Sequence, residues 1–169
     1  MKKYYLLPLL LLMIACGSKQ NTRTSRTTKT TTRTTSSATN SNARADQIIS
    51  YAKSFEGVKY RYGGTSRSGM DCSGLIFTAF KQAGLQLPRV SRDMATRGKA
   101  ISLSQINPGD LLFFQTNKSR NVINHVGLIV SNSGGEISFI HATTSRGVIV
   151  SKLTENYWRS AFVGARRVL

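Results

Sequence analysis

With 169 residues the chain has room for one ordinary domain plus appendages, and 24 basic residues against 7 acidic ones give it a formal charge of +17. That charge favours anionic surfaces of any kind, lipid headgroups and cell-wall polymers included. Nucleic acid is disfavoured as a partner, because no zinc-finger or RNP-like signature accompanies the charge and the N-terminus reads as an export signal.

That signal is the first element in chain order. Lys2 and Lys3 precede an apolar run from Leu6 to Ala15, broken only by Pro8. The run is shorter than the roughly 20 apolar residues needed to span a bilayer, so a cleavable signal fits better than a membrane helix. It ends in Met13-Ile14-Ala15-Cys16-Gly17, which resembles a bacterial lipobox, with Met13 where Leu is commoner. The resemblance implies cleavage before Cys16 and lipidation of that cysteine, and two or more acyl chains make a stable membrane anchor. The alternative is an ordinary signal peptide that happens to contain a cysteine. With the anchor, the expected location is the periplasmic side of a bacterial membrane; Gly17 is compatible with outer-membrane sorting.

From Asn21 to Asn42 the sequence is nearly all Thr, Ser, Arg, Lys and Asn. Too little apolar surface exists there to offset the entropy of ordering, which predicts a disordered tether. The expected organisation is therefore a signal peptide over 1–15, a lipidated Cys16 with its tether over 16–45, and a folded domain over 46–169. As flexible coil the tether would span roughly 30 Å on average and about 100 Å when taut.

Within the folded part, Ala45-Asp46 opens an amphipathic helix in which Ile48, Ile49, Ala52 and Phe55 share a face, ending near Gly57. A turn-rich loop, Tyr60-Arg61-Tyr62-Gly63-Gly64, follows. Asp71 is a good N-cap for a second helix carrying Leu75, Ile76, Ala79 and Phe80, with Gly84 as its stop. A shorter helix is predicted around Asp93 to Arg97. Strands come next: Leu111–Gln115, Val126–Ser131, Ile137–Thr143, Val148–Leu153 and Phe162–Val168. Short loops between them favour an antiparallel sheet, and helices followed by strands make an α+β arrangement.

Cys16 and Cys72 are the only cysteines. In an oxidising compartment a pair invites a disulfide, but a lipidated Cys16 leaves Cys72 as a lone exported thiol. Its place in the first turn of a helix favours the thiolate, because unpaired N–H groups and the helix dipole stabilise the anion. The same N–H groups can stabilise an oxyanion. The competing reading is an inert core cysteine.

His125 and His141 are the only histidines. If Val126–Ser131 and Ile137–Thr143 pair as a hairpin around residues 132–136, with Ser131 facing Ile137, then Gly127 faces His141 and His125 faces Thr143. The imidazoles then share one face of the sheet, and a one-residue slip would separate them. In that register His125 can serve Cys72 as base while His141 fixes its tautomer. Two histidines and a cysteine could also hold zinc, but no ligand-spacing motif supports a metal site, and no cofactor is expected.

The strings VKYRYGG, GMDCSGLI, LPRVSRDM, NPGDLLFF, HVGLIV, FIHAT and YWRSAFVGARRVL follow the order seen in NlpC-type cell-wall peptidases. The chain resembles that family over about Ile48 to Leu169, and most nearly its short lipoprotein members that act as murein endopeptidases. The resemblance implies a papain-like fold, with the helix carrying Cys72 packed on a sheet carrying His125 and His141. It implies a nucleophilic Cys72, a basic His125, a polar third residue in His141, and Tyr60, Asp71 and Ser73 beside the substrate. The family commonly has Gln where this chain has Met94, and the loop between the two histidines is longer here. The implied reaction is hydrolysis of peptide bonds in peptidoglycan stem peptides or their cross-links, through a thioester.

Eight of the 24 basic residues precede Asp46 (Lys2, Lys3, Lys19, Arg23, Arg26, Lys29, Arg33 and Arg44), leaving 16 against all 7 acids. That balance suits a substrate with free carboxylates. Two further readings keep the fold and change the outcome: a wall-binding lipoprotein without catalysis, or an amidase or acyltransferase using the same residues.

Overall fold

The computed structural model describes residues 33–117 and 121–169. The expected signal peptide, the lipobox with Cys16 and the first half of the expected tether lie outside the described residues.

The first helix, α1, runs Arg33–Lys53 and so begins well ahead of Ala45. Nothing from Arg33 to Arg44 is Gly or Pro, and once a turn is packed, each added residue extends a helix at the gain of one hydrogen bond. Residues 40–44 are exposed, and burial starts at Ala45. The expected boundary at 45 therefore marks where packing begins rather than where the helix does. No helix among the described residues is long and apolar enough to cross a membrane.

Two very short strands, β1 (Thr65–Ser66) and β2 (Gly69–Met70), then form a hairpin that the sequence pattern does not reveal. Helix α2 covers Cys72–Gln82, and Gly84 lies just past its end with φ of 75°. Asp71 caps it, its carboxylate accepting the Gly74 N–H. A short helix, α3, spans Ser91–Met94.

Six strands follow: β3 (Lys99–Ile101), β4 (Leu111–Phe114), β5 (His125–Ser133), β6 (Glu136–Thr143), β7 (Gly147–Lys152) and β8 (Phe162–Arg167). They make one antiparallel sheet in the order β3-β8-β4-β5-β6-β7, with helix α4 (Asn156–Ala161) between β7 and β8. The sheet has one strand more than the sequence predicts. β3 is a three-residue edge strand, largely exposed, and carries no alternating apolar pattern to announce it.

Both faces of the sheet are covered. On one, Leu111, Phe113, Val126, Leu128 and Ile140 meet Ile48, Ala52, Leu75, Ile76 and Phe80 from α1 and α2. On the other, Leu112, Phe114, Ile129 and Phe139 pack on Trp158 and Ala161 of α4. All four residues of β4 are buried in consequence, as expected for a strand between two apolar layers. Asp110, at the start of β4, takes two hydrogen bonds from the Arg167 guanidinium, at 2.9 and 2.7 Å, and ties the turn before β4 to the last strand.

The β5–β6 hairpin departs from the expected register in an instructive way. Its turn is only Gly134-Gly135, at φ of 59° and 87°, a conformation open to glycine and matched to strand twist. Near the turn Ser131 faces Ser138, not Ile137, one residue out from expectation. An irregularity at Val130 absorbs the extra residue. Below it Leu128 faces Ile140, and continuing that register places Gly127 opposite His141. The bulge thus restores the parity that sets both histidines on one face.

Candidate active site

Helix α2 and strand β5 both begin at the same place. Cys72 is the first residue of α2 and is 9% exposed. The backbone N–H groups of Val126, Ser73 and Cys72 itself act on its sulfur and favour the anion. Burial outweighs them and pushes the thiol above its ordinary value, with the Asp71 charge adding to the rise. The helix terminus alone predicts a thiolate; here desolvation wins, and the resting group is a thiol.

His125 opens β5 beside Val126, and His141 lies on β6. The Nε2 of His125 and the Nδ1 of His141 are 2.9 Å apart. The ring nitrogen of His125 left for Cys72 is therefore Nδ1. Burial lowers His125 to about 4. Burial also lowers His141, helped by the neighbouring His125 and Arg146. At neutral pH the site thus holds a neutral thiol and two neutral imidazoles. For Nδ1 of His125 to act as a base, its Nε2–H must donate to His141. The proton of His141 is then on Nε2, an atom that is buried without a hydrogen-bond partner among the described residues.

Aromatic rings set the orientation of the pair. Trp158 stacks on His125 with centroids 5.1 Å apart, and meets His141 edge-to-face at 4.5 Å. Phe114 and Phe139 close the remaining sides. Trp158 is a site residue that the sequence argument passes over; its only signal is its place in the YWRS string.

Asp71 and Ser73 flank the thiol and are knitted together by Arg89. Its guanidinium donates to Asp71 Oδ1 at 3.0 Å and Oδ2 at 2.8 Å, and to Ser73 Oγ at 2.9 Å. Asp71 also accepts N–H bonds from Gly74 at 2.6 Å and Gly63 at 2.7 Å. Burial would raise the Asp71 carboxyl, but Arg89 and these amides hold it below the usual range. Arg89, 17 residues beyond Cys72, carries no local pattern that marks it as a member of the site. Tyr60 stands on the other side of the thiol, bridged to Met70, and its hydroxyl is raised by burial and by Cys72.

Two clefts meet at this point. One, of about 620 Å³, is lined by Tyr60, Asp71, Cys72, Ser73, Arg89 and Asn124 among others. The second, of about 390 Å³, is lined by Tyr60, Cys72, Asn124, His125, Arg146 and Trp158 among others. Every residue singled out from the sequence borders one of the two clefts, except His141, which lies behind His125, and Cys16, which is outside the described residues.

A nucleophile helix laid on an antiparallel sheet whose strands supply an imidazole pair is the papain-like architecture. The model of the NlpC/P60 family matches residues 57–167, and the chain belongs to that family. It is 39% identical over 124 residues to the murein DD-endopeptidase MepS/murein LD-carboxypeptidase of Escherichia coli (strain K12), covering 73% of this chain and 62% of that protein. It is 42% identical over 117 residues to the probable endopeptidase NlpC of the same organism, covering 69% of this chain and 73% of that one. A solved NlpC/P60 family protein from Bacillus cereus superposes with a TM-score of 0.67 at 32% identity, over 74% of this chain and 40% of its own. The chain thus spans somewhat less than two thirds of the MepS relative and well under half of the solved structure.

Proposed function

We propose that this chain is a cell-wall cysteine peptidase that hydrolyses peptide bonds in peptidoglycan stem peptides or their cross-links. The observation that carries the reading is the convergence of Cys72, at the start of α2, with His125 in one cleft, while His141 bonds to the far nitrogen of His125. The two relatives named above, one a murein endopeptidase and carboxypeptidase and the other a probable endopeptidase, support the substrate class.

The chemistry follows from the neutral resting state. As Sγ of Cys72 attacks the substrate carbonyl, its proton passes to Nδ1 of His125, so thiolate forms only as the S–C bond does. N–H groups around the start of α2 stabilise the oxyanion. Collapse breaks the C–N bond, and His125 returns the proton to the leaving amine. Water then gives a proton to His125 as its oxygen attacks the thioester, and the thiol is regenerated. His141 holds the tautomer throughout, and Tyr60, Asp71 and Ser73 face the substrate.

The same reading places a signal peptide over 1–15, a lipid on Cys16 and a tether up to residue 45, helical from Arg33 onward as the first turns of α1, with the catalytic domain held on the periplasmic side of the outer membrane. Fractionation tests this part, since Cys16→Ala is expected to move the protein from membrane to soluble fraction. Digestion of purified sacculi tests the enzyme. Cys72→Ala should retain the circular dichroism of the native protein and release no peptides, and release at the native rate removes the proposal.

A further inference from the structure

The two clefts differ in which catalytic group they contain. Both are bordered by Cys72, but only the smaller one is bordered by His125. An imidazole that takes the thiol proton must return it to the departing nitrogen, so that nitrogen lies on the His125 side of the sulfur. The smaller cleft is therefore the leaving side, and the larger one receives the acyl portion.

Charge differs between the clefts as well. In the larger one Arg89 is committed to Asp71 and Ser73, and Arg92 is paired with Asp93 at 3.5 Å. In the smaller one Arg146 is exposed, and its guanidinium has no ion pair or hydrogen bond among the described residues. The one acid lining that cleft, Glu155, makes no ion pair with Arg146; its Oε1 accepts the backbone N–H of Lys152 at 2.8 Å. The turn that carries Arg146 is held in place. Its N–H donates to Thr143 Oγ1 at 3.1 Å, and Val148 exchanges backbone bonds with Gly57 and Val58 on the neighbouring loop. The charge sits near enough to disfavour protonation of His141. An unpaired guanidinium on an anchored turn beside the departing group is a receptor for an anion on that group.

We propose that Arg146 binds a free carboxylate on the residue that leaves, making the enzyme selective for peptides whose scissile nitrogen belongs to an amino acid with an un-amidated carboxylate. That carboxylate has two sources: the C-terminus of a single released residue, or the free acid group of a cross-linked diamino residue. The inference rests on the peptidase reading and adds to it which side of the bond is read. Arg146 is a specificity residue; it transfers no proton and forms no bond to the reacting carbon.

The test measures kcat/KM for the native protein, Arg146→Gln, Arg146→Lys and Cys72→Ala. Linear stem peptides form one arm and cross-linked dimers the other, each as the acid and as the carboxamide at the leaving residue. The native protein is expected to prefer the acid by about tenfold to a hundredfold, the range of a charge-assisted hydrogen bond, in the arm that supplies the true carboxylate. Arg146→Gln should bring the acid down to the level of the amide, mainly through KM, and Arg146→Lys should keep part of the preference. Cys72-dependent turnover without acid preference in either arm, or a preference that survives in Arg146→Gln, overturns this inference and leaves the peptidase reading standing. Turnover that is absent, or indifferent to Cys72→Ala, overturns both.

Discussion

The buried histidine pair makes the fold sensitive to acid in a window of its own. Burial lowers His125 from 6.5 to about 4, so between those values the unfolded chain takes up a proton that the folded one refuses. The His125 contribution is then complete above pH 6.5, declines as pH falls towards 4, and levels off below that. Roughly 2.5 pH units at about 1.36 kcal/mol each amount to about 3 kcal/mol from His125 alone. His141, lowered in the same direction, steepens the loss. Asp71 acts outside this window: its carboxyl is held below its ordinary value of 3.8, so its share is lost only as pH drops below that point. The assay is urea unfolding between pH 7.5 and 4.5, followed by the fluorescence of Trp158, the only tryptophan, which stacks on His125 itself. A variant with His125→Gln should lose about half of the pH dependence. A transition midpoint that stays constant across the window, or a variant with the full native slope, would refute the argument.

Because burial raises the Cys72 thiol and lowers His125, alkylation by iodoacetamide should accelerate with pH up to and beyond 9; a rate already at its plateau below pH 7 would mean a preformed ion pair. Replacing Asp71 by Ala removes the cap of α2 and leaves Arg89 without its main partner. A cost of about 2–3 kcal/mol is expected in chemical denaturation, discounted for the third of Arg89 that is exposed, and a change within experimental error would contradict the assigned role. A Cβ at Gly127 would run into the ring of Phe139, which packs on His141. Gly127→Ala should therefore cost about 1–3 kcal/mol and shift the histidine ring resonances in an NMR spectrum, and native stability with unmoved resonances would show that the ring has room to turn.

Much of the frame is legible in the residues themselves. Asp71 and the apolar spacing behind it announce α2, and the apolar runs on either side of Gly134-Gly135 announce the hairpin that carries the histidines. The chemistry of the site is legible too, since two cysteines and two histidines are scarce enough to be counted. Less visible is what depends on distance in space. Arg89 and Trp158 reach the site through the fold, and nothing in their local sequence marks the direction. The net effect on Cys72 is likewise a balance between local N–H groups and burial contributed by distant residues, and periodicity reports only the first. β3 escapes notice because an exposed three-residue edge pairs through its backbone alone.

The Val130 bulge sets a rule for how this hairpin can change length. Lengthening both arms together moves only the tip, far from the cleft, and leaves each imidazole where it was. Adding or deleting a single residue between positions 125 and 141 without a second irregularity would turn one ring to the opposite side of the sheet. Variation at the tip is then tolerated in even steps, and an odd step is tolerated only where another kink makes up the count.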